Sequence, residues 1–101
     1  MLEIDLAVPP EGNPAQLEGV IEACCAAEGL RVTLKDTLAK YPGCVHWHVK
    51  RDARRGTLEI TLWPRQRRLW FNVQAGRTGD WIEETAARLK QAMEKEMGSE
   101  R

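Results

Sequence analysis

From Cys44 to Ala75 the chain reads CVHWHVKRDARRGTLEITLWPRQRRLWFNVQA, and the alternation in this stretch decides the fold. Val45, Trp47 and Val49 recur at a spacing of two, with Cys44, His46, His48 and Lys50 in the alternate positions. Leu58, Ile60 and Leu62 repeat the pattern, as do Leu69, Phe71, Val73 and Ala75. Successive side chains of a strand point to opposite faces, so an apolar period of two marks a strand buried on one side only. The links between the three runs are short, and short links join antiparallel neighbours.

Upstream, Leu30, Val32 and Leu34 start another such strand, with Arg31, Thr33 and Lys35 outward. Its pattern frays at Asp36-Thr37-Leu38, which predicts a bulge or an early end before the Tyr41-Pro42-Gly43 turn. Leu2, Ile4, Leu6 and Val8 alternate as well, until Pro9-Pro10 stops the ladder. Between these strands Asn13-Pro14 reads as a helix N-cap followed by its first residue, and Gln16 stands at the capping-box position. Leu17, Val20, Ile21 and Cys24 then form a buried stripe, and Gly29 follows the helix end near Glu28. A second helix is predicted from an Asp80 cap with Glu83, through Ile82, Ala86, Leu89, Met93 and Met97. One domain over 1–97 is expected, with 98–101 a frayed tail.

The expected fold class is α+β: a single five-stranded, mainly antiparallel sheet in the order β-α-β-β-β-β-α, with both helices on one face. In topology alone this order resembles the TATA-box-binding-protein-like fold class, a curved antiparallel sheet backed by two helices. That likeness implies no function, because folds host unrelated functions.

A chain of 101 residues, 43% hydrophobic and 30% charged, has the composition of one globular domain rather than of a disordered chain. No apolar run approaches the roughly 20 residues that span a bilayer, and the acids near Met1 are the opposite of a signal peptide's basic start. Membrane partners are therefore not expected. Three cysteines, two of them the adjacent Cys24 and Cys25, make no disulfide framework and suit a reducing cytoplasm. Cys24 is expected to be buried packing and Cys25 the less buried, more reactive thiol.

Formal net charge is zero, yet the charges are segregated. Residues 1–30 carry six acids and no Lys or Arg, whereas residues 31–79 carry eleven bases against three acids. Such asymmetry bears on partners rather than on fold.

Register follows from setting apolar residues opposite apolar residues. Centring one turn on Arg54-Arg55 places Val49 across from Ile60, His48 across from Thr61, His46 across from Trp63 and Lys50 across from Glu59. Centring the next on Arg65-Gln66 places Thr61 across from Trp70, Trp63 across from Arg68 and Glu59 across from Asn72. The face away from the helices then carries His46, His48, Trp63, Arg68, Trp70 and Asn72, with Arg54, Arg55, Arg65 and Arg67 at its margins.

Beside a purely structural reading, in which Trp63 and Trp70 make cross-strand pairs and a cation–π contact with Arg68 that stiffen the sheet, three functional readings compete for that face. In the first, a non-enzymatic module binds a protein partner or a second copy of itself as a homodimer, since exposed aromatic area marks interaction surfaces. In the second, the tryptophans stack on the bases of single-stranded nucleic acid while Arg and Lys follow its phosphates. In the third, Cys44, His46 and His48, projecting from one side of a strand, ligate zinc or another transition metal, as a metal-binding protein or metal-dependent enzyme. Glu59 is the nearest carboxylate, but the register assigns it to Lys50. Gly76-Arg77-Thr78-Gly79 lacks the Gly-Lys-Ser/Thr ending of a phosphate loop and reads as a turn. No other catalytic signature is present, and no cofactor beyond that metal is expected.

Overall fold

The computed structural model describes residues 2–10 and 12–98. The expected elements appear in the expected order: β1 (Leu2–Leu6), α1 (Pro14–Ala27), β2 (Arg31–Asp36), β3 (Val45–Lys50), β4 (Leu58–Trp63), β5 (Arg68–Val73) and α2 (Ile82–Gly98). The five strands form one antiparallel sheet ordered β1-β5-β4-β3-β2.

Asn13 caps α1 as its sequence predicts, its side-chain oxygen accepting the Ala15 amide at 2.8 Å. The start of α2 differs. Asp80, expected as its cap, accepts Arg54 Nη2 at 2.7 Å, and the helix begins two residues later at Ile82. Gly98, assigned to the tail, closes α2, and the expected fraying of 99–101 lies outside the described residues.

The helices cover the sheet face that carries Trp47, Val49, Leu58, Ile60, Leu62, Leu69 and Phe71, all nearly inaccessible to solvent, and α2 adds Ile82, Ala86, Leu89 and Met93. Burial of a large apolar side chain is worth about 1.5–3 kcal/mol, so this layer holds the sheet. Cys25 is more deeply buried than Cys24, contrary to expectation, and burial pushes its thiol up to about 12, which makes it inert rather than reactive.

Two features of the sheet depart from the sequence reading. The β3–β4 register is displaced by two residues: Val49 faces Leu58, His48 faces Glu59 and His46 faces Thr61. The loop is tighter than expected because Arg54 N–H closes a turn on Arg51 O, while Asp52 (φ 50°) and Gly56 (φ 112°) take the left-handed conformations that bend the chain back early. A displacement of two keeps every side chain on its face and changes only its neighbours. In contrast, the β4–β5 register is the expected one.

The second departure is in β2, where a bulge falls between Val32 and Leu34, earlier than expected. Thr33 is the extra residue, and its hydroxyl donates to His48 O at 3.3 Å. Beyond it the phase of the strand inverts: Leu34 faces His48 on the side away from the helices, and Lys35 turns toward α1. There Lys35 Nζ pairs with Glu22 at 2.7 Å and Glu18 at 3.3 Å.

Candidate metal centre

The face away from the helices is a grid set by register, since directly opposed residues share a face. One row runs Asp5, Trp70, Thr61, His46, Asp36 across the sheet, and the next runs Glu3, Asn72, Glu59, His48, Leu34. His46, Thr61 and Glu59 are buried there, at 5%, 1% and 3% exposure, so the middle of this face is not an open surface.

Trp63 and Trp70, expected as outward stacking platforms, are already occupied. Tyr41, from the loop between β2 and β3, packs against both, at centroid distances of 4.9 Å and 5.1 Å. Trp63 Nε1–H donates to Pro42 O at 2.9 Å, which fastens that loop across the sheet. Arg68 lies over the Trp70 ring at 4.5 Å and reaches Asp5 at 3.2 Å. Of the marginal bases, Arg54 pairs with Asp80.

The charge segregation of the sequence has the same resolution. Asp5 meets Arg68, Glu18 and Glu22 meet Lys35, and Glu28 meets Arg51 and Arg88. Acids of the first thirty residues thus pair with bases from later in the chain, within the fold.

What converges on the buried centre is His46, His48 and Glu59. The two Nε2 atoms are 3.1 Å apart; His46 Nε2 lies 3.4 Å from Glu59 Oε1, and His48 Nε2 lies 3.8 Å from Glu59 Oε2. All three donor groups fall within 4.8 Å of one another. Tetrahedral zinc with ligands at about 2.0–2.1 Å places its donor atoms about 3.3–3.4 Å apart, the scale of these separations.

The surrounding polar groups orient the donors. His46 Nδ1 is 2.8 Å from Thr61 Oγ1. If Nδ1 carries the ring proton and donates it to Thr61, the lone pair of Nε2 points toward Glu59 and His48, the arrangement a metal requires. Asn72 Nδ2 donates to Glu59 Oε1 at 3.4 Å and holds one edge of the carboxylate. Burial pushes the His46 imidazole below its ordinary range, opposed by the nearby Glu59 charge, which favours the uncharged ring that a metal would need.

Glu59 Oε2 is buried and accepts no hydrogen bond from the described residues. At 3.8 Å, His48 is too far to supply one. A buried carboxylate oxygen without a donor costs on the order of 1–3 kcal/mol or more, which a coordinated cation would remove.

Cys44 joins the site in sequence but not in space. Its Sγ takes the Leu38 amide at 3.3 Å and lies 3.8 Å from Thr37 Oγ1, beneath the end of β2. Glu59 stands in its place, brought to the histidines by the displaced β3–β4 register. The signal for this was present: Asp52 and Gly56 both tolerate left-handed backbone, and a loop confined to 51–56 opposes His48 to Glu59.

No family model matches this chain, and neither a curated protein nor a solved structure does.

Proposed function

We propose that this domain binds one divalent transition metal, zinc foremost, through His46 Nε2, His48 Nε2 and the Glu59 carboxylate. The observation that supports it is the buried Glu59 Oε2, which accepts no hydrogen bond among the described residues, in a cluster with two imidazole nitrogens. Two imidazoles and one carboxylate suit zinc, iron, cobalt or nickel, whereas calcium and magnesium prefer sites made of oxygen. Three protein donors leave at least one coordination position to a further ligand, which distinguishes this set from a closed structural zinc site.

This reading is favoured over stacking on nucleic acid because Tyr41 and Arg68 occupy the aromatic faces that bases would need. Among the described residues no helix is long and apolar enough to cross a membrane. Three free cysteines accord with a reducing, cytoplasmic setting.

The test is calorimetric titration of zinc into protein purified without a polyhistidine tag and freed of metal by chelation. One zinc per chain is expected, with uptake lost in His46→Ala and in His48→Gln. Saturation far below one per chain, or a His48→Gln protein that binds as the parent does, overturns the proposal.

A further inference from the structure

The chain brings three donors together and leaves the remaining coordination of the metal to something from solution. What can approach is set by the residues around the site's solvent edge. His48 is its most accessible member, with a side chain 21% exposed against 6% for His46 and 4% for Glu59. The approach is therefore past His48.

Four residues of β2 and β3 on that face border His48: Leu34, Lys50, Arg31 and Asp36. Leu34 lies opposite it on β2 and is 41% exposed, one of two large apolar side chains so exposed among the described residues. Lys50 is the next residue on the same side of β3, about 7 Å along the strand, and its Nζ is 3.5 Å from Thr57 Oγ1. Arg31 faces Lys50 from β2 and donates to Asp52 O at 3.1 Å. Among the described residues neither cation forms an ion pair with a carboxylate. A divalent metal together with the Glu59 carboxylate would leave a net single positive charge in the same neighbourhood. Asp36, opposite His46, is the acid of that margin on β2 against the two cations and the metal, so the balance of the field attracts an anion, whose apolar part would have Leu34 to lie on.

We propose that the open position of the metal takes a small carboxylate anion, held by the metal and by the Lys50 ammonium, with its hydrocarbon part over Leu34. This rests on the metal-binding reading and names what the bound metal recognises. With the backbone spacing of Lys50 and His48, about 7 Å, taken as the charge separation, one unit charge changes the affinity of an anion by about threefold even at the dielectric constant of water, and by more where solvent is excluded. The effect grows as ionic strength falls.

The experiment uses the full chain loaded with Co²⁺, whose visible absorption reports its ligands, after the cobalt stoichiometry of each protein has been measured. Sodium acetate is titrated against sodium perchlorate at matched ionic strength, into the parent and into Lys50→Met. A saturable spectral change with acetate alone, with affinity lowered about threefold or more in Lys50→Met, supports the proposal. A cobalt-loaded protein whose spectrum ignores acetate overturns it and leaves the metal site standing. Equal acetate affinities in the two proteins overturn the role of Lys50. Failure of the parent to take up cobalt overturns the metal reading and this inference together.

Discussion

Replacing Glu59 by Gln should raise the stability of the metal-free protein and abolish its response to zinc. The substitution conserves shape and removes a buried carboxylate, one oxygen of which accepts no hydrogen bond from the described residues. Exchanging that acceptor for an amide N–H that can donate to an unprotonated imidazole Nε2 beside it is worth on the order of 1 kcal/mol or more, offset in part by weaker contacts to His46 and Asn72. For a domain near 100 residues, 1 kcal/mol moves Tm by about 4–8 °C. The parent gains more from zinc: at a free concentration one hundred times Kd, binding adds about 2.7 kcal/mol, or about 10–20 °C on the same scale. The two proteins should therefore change order, Gln above Glu in chelator and Glu above Gln in zinc. Differential scanning calorimetry with and without zinc reads this directly. A Gln variant that melts below the parent in chelator, with equal zinc shifts in both, would show that Glu59 is an ordinary structural partner of the histidines and refute the reasoning.

Four further outcomes are expected. Thr61→Val should weaken zinc binding by about 10–100-fold, the usual cost of losing a group that orients a ligand, and Thr61→Ser should restore it; equal affinities by calorimetry would deny Thr61 that role. Lowering the pH should destabilise the fold through Glu28, Glu22 and Glu94, whose carboxyls are held below their ordinary value by Arg88, by Lys35 and by the Ala7 amide respectively. Their contribution is complete above the unfolded value of 4.5 and lost as pH falls through the lower folded values. His46, held below 6.5 by burial, adds an earlier loss as the unfolded chain takes up its proton, so urea midpoints should decline gently from about pH 6.5 and drop further below about 5, the second fall less steep in Glu28→Gln. Gly79→Ala should cost about 1–3 kcal/mol, because its Cβ would meet the Arg55 carbonyl oxygen that accepts Trp81 Nε1–H. Gly19→Ala, with open space around it in α1, should instead stabilise by about 0.5–1 kcal/mol, and chemical denaturation distinguishes the two.

The strands and helices were legible because each is written in local terms: a period of two around Trp47 or Phe71, or Asn13-Pro14 before an apolar stripe. The face each side chain occupies in β3, β4 and β5 was legible for the same reason. Partners across the sheet were less so. Apolar pairing is satisfied equally by Val49 opposite Ile60 or opposite Leu58, and the choice rests on left-handed backbone at Asp52 and Gly56. That choice decided the site, since it moved Glu59 from Lys50 to His48. The bulge at Thr33 was foreseen in kind and misplaced in position, so Leu34 and Lys35 were given each other's faces. Tyr41 read only as a turn residue, because a loop folding over two tryptophans depends on contacts far apart in the chain.

The strand order also sets how the molecule is put together in time. β1 completes the sheet against β5, so Leu2 must find Val73 and Leu6 must find Leu69. Every other strand pairs with its sequence neighbour across a modest loop. During synthesis the first strand leaves the ribosome with its partner not yet made, while the β2 to β5 meander, with its local pairings, is free to form as soon as it emerges. Joining distant segments carries the larger loop-closure entropy and slows folding. Both histidines, Glu59, Thr61 and Asn72 lie within that meander. The proposed ligands can therefore gather before β1 docks, and a metal ion that reaches them then would favour the folded sheet during assembly.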